Sequence, residues 1–237
     1  MIQLIFFGLR LRQIWSQLQV GLMQDFENLI KKFGGREKIY HAGDVIYDQE
    51  SGIEGIYYLK NGKIRIDNSR VKSKRDVLVW LLCSGNFFGL SSYYNGYVAY
   101  SYITTVISEK AEVILISRDD FIRLLKAEKE FRAYIINLLY RRMDYIEQRK
   151  TYSSKVSFLK KLADAIVFLS PSHAVPSVAE NNKPLRIEVS ISELAAITNA
   201  NRKQLLQSLD ELCNKKILDR DGESITVRNF EKLIHVD

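Results

Sequence analysis

The chain has 237 residues, 46% of them hydrophobic and 27% charged, enough apolar material for a sizeable core, which excludes a disordered tail and a disulfide-stapled miniprotein. Its two cysteines, Cys83 and Cys213, stand far apart with neither Cys nor His close by in sequence, which excludes zinc-ligand and iron–sulfur spacing and fits a reducing, cytoplasmic setting without a metal or other cofactor. The formal charge of +7 points to a polyanionic partner, nucleic acid or an anionic membrane surface, without choosing between them.

Residues 1–9 are apolar, but no cation precedes them, and Arg10 and Arg12 interrupt the run well short of the roughly 20 residues of a membrane span. Leu4, Phe7, Leu11, Trp15, Leu18 and Leu22 recur at three- and four-residue steps. This spacing predicts an amphipathic helix or extension over residues 1–24 that packs on the protein, with a membrane-surface helix as the alternative. Met23 offers a second start. No longer apolar run follows, so no membrane is expected among the partners.

From Lys38 to about Ser117 short apolar or alternating runs are separated by glycine turns, which predicts an antiparallel β domain within residues 25–127. The predicted strands are Ile39–Tyr40, Val45–Tyr47, Gly55–Leu59, Lys63–Asp67, Val77–Cys83, Tyr100–Val106 and Glu112–Ile116. Asn61-Gly62 between two of them predicts a tight type I′ hairpin, because both residues tolerate positive φ. Strands this short and closely spaced predict a sandwich or a jelly-roll-like roll.

At Ser117, a predicted N-cap followed by Asp119 and Asp120, the period turns helical. A short helix over Arg118–Leu125 is predicted to precede a long one over residues 128–152. In the long helix Ile136, Leu139, Met143 and Ile146 form a heptad seam, and Phe131, Ile135 and Leu138 form a second apolar edge beside it. One edge suits the chain's own β domain and the other a second copy of the chain, so the seam is the predicted dimer interface; ordinary core for both edges is the alternative. A further amphipathic helix is expected over Lys155–Leu169, carrying Val156, Leu159, Leu162, Ala163 and Ile166, then a loop over residues 170–183 and a short strand over Leu185–Val189.

Residues 190–212 break into two helices. Ser190 or Ser192 caps the first, with Glu193 placed for a capping box. Asn199 takes the turn, where left-handed backbone is needed, and Asn201 caps the second helix. Leu205, Leu206, Leu209 and Leu212 bury one side of that helix, leaving Arg202, Lys203, Gln204, Gln207 and Ser208 on the other. Arg pairs with guanine O6 and N7, Gln with adenine N6 and N7, and Lys reaches a base edge or phosphate, so this face suits the major groove of double-stranded DNA. Lys215 and Lys216 lead into two strands around Asp221-Gly222, a β wing that carries Arg220. The predicted fold class is α+β: an N-terminal antiparallel β roll over residues 25–127, a long dimerisation helix over 128–152 and a C-terminal winged helix-turn-helix domain over 153–237.

This order resembles the CRP/FNR family of bacterial transcription regulators over roughly residues 25–230. Residues 55–66 resemble the family's β-roll hairpin, and Ser84-Gly85-Asn86-Phe87-Phe88-Gly89 resembles the approach to its nucleotide-phosphate cassette. Residues 199–205 resemble the start of its recognition helix. The resemblance implies a cytoplasmic homodimer that places two recognition helices about 34 Å apart on a pseudo-palindromic site. Arg202, Lys203 and Gln207 would then read bases, with Asn201 and Gln204 beside them, while Ser190, Ser192, Lys215, Lys216 and Arg220 would meet the DNA backbone. RNA polymerase and a small-molecule effector of unidentified class are the other partners it leaves open. Lys203 stands where the family has Glu, and Gln207 where Arg is common, so the usual operator does not carry over.

Family members that bind cyclic AMP follow the cassette Gly with a Glu for the ribose and later use Arg then Ser or Thr for the phosphate. Here Gly89 is followed by Leu90, and Ser101-Tyr102 stands at the Arg-Ser step. No Lys or Arg lies between Cys83 and Lys110, and a buried phosphate without a cation is hard to hold. Cyclic AMP is therefore not expected to bind in the usual way. A different effector held by Ser91, Ser92, Ser101, Tyr102 and Thr104, an interior filled by Phe87, Phe88, Tyr93 and Tyr94, or control through abundance alone all stay open. A metal-dependent enzyme built on the roll would need clustered histidines, and only His41 lies in that region; His173 and His235 read as solvated. An interaction or ligand-sensing module with a degenerate helix-turn-helix is the alternative function. Residues 151–237 carry 12 Lys and Arg against 11 Asp and Glu, a net charge of +1. The case for DNA therefore rests on local placement and not on bulk charge.

Overall fold

A computed structural model of the chain describes residues 26–68, 77–90, 102–151, 156–170, 184–222 and 224–236. These fall into two compact units, one within Gln24–Leu139 and the other within Tyr140–Asp237.

The first unit is an antiparallel roll of two four-stranded sheets. Strands β1 (Arg36–His41), β8 (Lys110–Ile116), β3 (Ile56–Asn61) and β6 (Asn86–Phe88) pair in that order, as do β2 (Val45–Tyr47), β7 (Ile103–Val106), β4 (Lys63–Asn68) and β5 (Val77–Cys83). Consecutive strands change sheets everywhere except at β4 and β5, which pair with each other.

That topology corrects the Asn61-Gly62 hairpin: β3 pairs with β8 and β6, and β4 with β7 and β5. Gly62, at φ +102, instead turns a corner between sheets, where a Cβ would lie 2.5 Å from the Lys110 carbonyl oxygen. The reason lies in burial. Ile56, Tyr57, Tyr58 and Leu59 are buried on both faces of β3 and need neighbours that are likewise apolar on both faces, which β6 and Val113–Ile116 of β8 supply. In β4 Ile64 and Ile66 are buried, while Lys63, Arg65 and Asp67 between and beside them are half-buried.

One face of the first sheet lines the roll interior with Tyr57, Leu59, Phe88, Val113 and Leu115, opposed by Ile64, Ile66, Leu82 and Val106. Tyr57 stacks on Phe88 at 5.0 Å and meets Tyr47 at a tilt, 5.5 Å between ring centroids. The other face, with Tyr58 and Phe87, meets helix α1 (26–32), α2 (Arg118–Ala127) and α3 (Lys129–Thr151) through an aromatic cluster of Phe26, Phe121, Phe131 and Tyr134. Ser117 caps α2 as predicted, its side chain accepting from the Asp120 N–H. The strand and helix expectations passed over α1 and β6; in β6 three consecutive buried residues show no alternation. The strand predicted from Tyr100 begins at Ile103; Tyr100 and Ser101 lie outside the described residues, as does the amphipathic segment 1–24.

In the second unit, α4 (Phe158–Leu169) starts three residues later than the periodicity from Lys155 predicted. Ser157 caps it by accepting from the Lys160 N–H, leaving Val156 ahead of the helix. The long helix α3 sets Tyr145 flat on Phe168 of α4, ring centroids 4.2 Å apart. Helix α4 packs on α5 (Ile191–Thr198), α6 (Arg202–Asn214) and α7 (Phe230–Ile234). Strand β9 (Leu185–Glu188) pairs with β11 (Ser224–Val227), which pairs with β10 (Leu218–Asp221), so the strand predicted before the two helices joins the wing as a third member.

Candidate nucleic-acid interface

Local chemistry fixes the two-helix element. The Ser190 hydroxyl accepts from the Glu193 N–H while the Glu193 carboxylate accepts from the Ser190 N–H, a complete capping box at α5. The turn residue Asn199 is left-handed, at φ 53 and ψ 41. Asn201 then caps α6, its side-chain oxygen accepting from the Gln204 N–H at 2.9 Å. Leu194 and Ile197 of α5 and Leu205, Leu209 and Leu212 of α6 are buried; Leu206, read as core, is only half-buried. Asn201, Arg202, Lys203, Gln204 and Gln207 are all exposed, as the periodicity predicted, and so is Ser192; Ser190 and Ser208 are half-buried.

The basic residues around this face differ in their surroundings. Lys215 pairs with Glu211 at 2.7 Å, and Arg220 of β10 with Asp210 at 3.6 Å, so both are tied to α6. Arg228 pairs with Asp219, and Arg186 with Glu188. Among the described residues, Arg202, Lys203 and Lys216 make no ion pair. Lys216 is held left-handed at φ 55, just past the end of α6. Burial pushes the thiol of Cys213, on α6, up from its ordinary range. The acidic partners of these cations, Asp210 and Glu211, were missed in the sequence; three- and four-residue steps past Gln207 were the available signal.

On α3 the two apolar edges have different fates. Phe131, Tyr134, Ile135 and Leu138 are buried, whereas Ile136 is 62% exposed, Met143 55%, Leu139 41% and Ile146 38%. Tyr140, 61% exposed and four residues past Ile136, extends the exposed row and was not in the predicted seam.

Residues 37–128 match the family model of the cyclic nucleotide-binding domain. No match is found among curated proteins. Among solved structures, FixK2 from Bradyrhizobium japonicum is 14% identical, with 86% of this chain and 97% of that one covered at a TM-score of 0.62. A CRP/FNR-family transcriptional regulator from Thermus thermophilus is 15% identical, with 85% and 99% covered at 0.53. The chain has the CRP/FNR fold. A CooA mutant from Carboxydothermus hydrogenoformans shares it, at 14% identity, 88% and 89% coverage and a TM-score of 0.57.

Within this CRP/FNR fold, Gly89 has φ +81 and Leu90 is buried beside it. Tyr102 is half-buried against the roll interior, while Ser91, Ser92, Tyr93, Tyr94 and Ser101 lie outside the described residues. Phe87 and Phe88 are both buried, but only Phe88 faces the interior; Phe87 belongs to the helix side, against Phe121 and Phe131. Thr104 is fully buried with a hydroxyl that has no hydrogen-bond partner, and so is Tyr58, whose phenol burial pushes well above its ordinary range. Among the described residues no group of His, Cys, Asp and Glu is arranged to hold a metal ion, and no helix is long and apolar enough to cross a membrane.

Proposed function

We propose that the chain is a sequence-specific DNA-binding transcription regulator of the CRP/FNR type, without catalytic activity, acting as a homodimer on a pseudo-palindromic site. The observation that carries this reading is α6: a capped helix buried along Leu205, Leu209 and Leu212 that exposes Arg202, Lys203 and Gln207 together. Arg202 donates to guanine, Gln207 pairs with adenine, and Lys203 reaches a base edge or a neighbouring phosphate. Asn201 and Gln204 flank them. Ser190, Ser192, Lys215, Lys216 and Arg220 meet the DNA backbone and set the register. The exposed row from Ile136 to Ile146 supports a second copy along α3, which sets two recognition helices about 34 Å apart on one face of the duplex.

Cyclic AMP is not the effector. Leu90 offers no carboxylate to a ribose, and the stretch between Cys83 and Lys110 offers no cation to a phosphate. Isothermal titration of the purified protein is expected to show no cyclic AMP binding; a micromolar or tighter isotherm overturns this part of the reading.

Selection of bound duplexes from a random pool tests the main proposal. A palindromic enriched motif is the expected result. A selection that enriches nothing would instead favour an interaction module whose helix-turn-helix no longer reads DNA.

A further inference from the structure

We infer that Asp210 and Glu211 are specificity-determining residues: by neutralising Lys215 and Arg220 within the protein, they hold down binding to DNA of arbitrary sequence and leave base reading to carry affinity. This rests on the DNA-binding reading above.

Three observations converge. First, helical spacing sets Asp210 and Glu211 three and four residues past Gln207, on the exposed flank of the helix that carries the base-reading side chains. Second, each acid neutralises a cation of the proposed backbone contacts: Glu211 pairs with Lys215 at 2.7 Å, and Asp210 reaches across to β10 and pairs with Arg220 at 3.6 Å. Third, the wing repeats the pattern, with Arg228 on Asp219 and an exposed Asp221 at its tip. Residues 151–237 accordingly carry a net charge of only +1, although the whole chain carries +7.

The consequence follows from counter-ion release. Affinity for arbitrary DNA comes almost entirely from cations that displace condensed counter-ions, and log K falls with log salt at about 0.9 per phosphate neutralised. An ion-paired cation adds no net charge when it approaches phosphate, because its acid comes with it. Arg202, Lys203 and Lys216 are then the effective cations of each subunit's recognition face. A dimer holds about six, which gives a slope of about −5. Hydrogen bonds to base edges are untouched by this neutralisation, so the ratio of specific to non-specific affinity rises.

The test measures the salt dependence of binding to the selected duplex and to a scrambled duplex, for the full-length protein and for the variant Asp210→Asn with Glu211→Gln. Both side chains are exposed and both replacements keep their shape, and an unchanged melting temperature confirms that the variant is folded. The expected variant slope is about −9, since two further cations per subunit become effective. Affinity for scrambled DNA is expected to rise at least tenfold in low salt, with a smaller gain on the selected site. A wild-type slope already near −9, or a variant indistinguishable from wild type on scrambled DNA, overturns this inference and leaves the DNA-binding reading standing. Absence of binding to any duplex by either protein overturns the DNA-binding reading itself.

Discussion

Lys203 sits in the first turn of α6, where the unsatisfied N–H groups make the helix end positive, and Arg202 precedes it; no acid is present in that turn. Cations there oppose the helix dipole by about 0.3–1 kcal/mol each. A side chain that costs stability where it stands is explained by what it meets outside the fold. Lys203→Glu is therefore expected to raise the melting temperature while weakening gel-shift binding to the duplex that the unaltered protein selects, a pair of changes that a merely structural lysine would not give. Arg202→Ala is expected to relax preference at one base by about 1–3 kcal/mol. Lys216→Gly acts differently. It relieves a left-handed lysine, worth about 1 kcal/mol of stability, and weakens binding to every duplex alike in the same gel-shift series. The residue scale is where the sequence was most legible. Ser117, Ser190, Asn199 and Asn201 each act through backbone groups within four residues, so spacing alone reveals their roles. The pairing of Asp210 with Arg220 was not legible, because it depends on how β10 returns beside α6.

At the scale of elements, legibility fell wherever a partner lay far along the chain. The Asn61-Gly62 step is readable as a turn, but which strands it joins depends on β8, some fifty residues downstream. The corner has an energetic signature. Gly62 and Gly43 both have positive φ, yet a Cβ on Gly62 meets the Lys110 carbonyl at 2.5 Å while one on Gly43 meets nothing within 4 Å. Gly43→Ala is expected to cost about 1 kcal/mol from backbone strain alone, and Gly62→Ala about 2 kcal/mol or more, both read by urea denaturation. Equal costs would mean that the corner has room to relax. Strand β6 escaped notice for a related reason: sandwiched between the roll interior and the helices, it has no solvent face to produce alternation. The late start of α4 shows that a local cap overrides periodicity, since Ser157 ends the extended backbone before the apolar run read from Lys155 is used up.

At the scale of the whole molecule, the exposed row Ile136, Leu139, Tyr140, Met143 and Ile146 is the feature that two copies of the chain would hide. Ile136→Lys with Met143→Lys is expected to convert a dimer to a monomer by sedimentation and to reduce binding to a palindromic duplex to that of a half-site. Retention of the dimer would assign the row to some other contact. The sequence revealed this row because the heptad spacing stood beside a second apolar edge, and two edges on one helix require two different neighbours.

The pairing of β1 with β8 also bears on how the chain comes into being. A ribosome makes Arg36–His41 first and must synthesise the rest of the roll before Lys110–Ile116 can close the sheet over it. Pairing that joins the first strand to the last is slow, because loop closure precedes any stabilising contact. Through that interval Tyr57, Tyr58 and Leu59 on β3 also lack the β8 strand that buries them, so the nascent roll presents an open, aromatic-rich edge. A chain truncated after Val106 is expected to be cut by protease throughout residues 36–68, whereas one extended to Ala127 is expected to resist, since β8 and α2 close the sheet together. Equal resistance of the two would mean that the early strands find another partner while they wait.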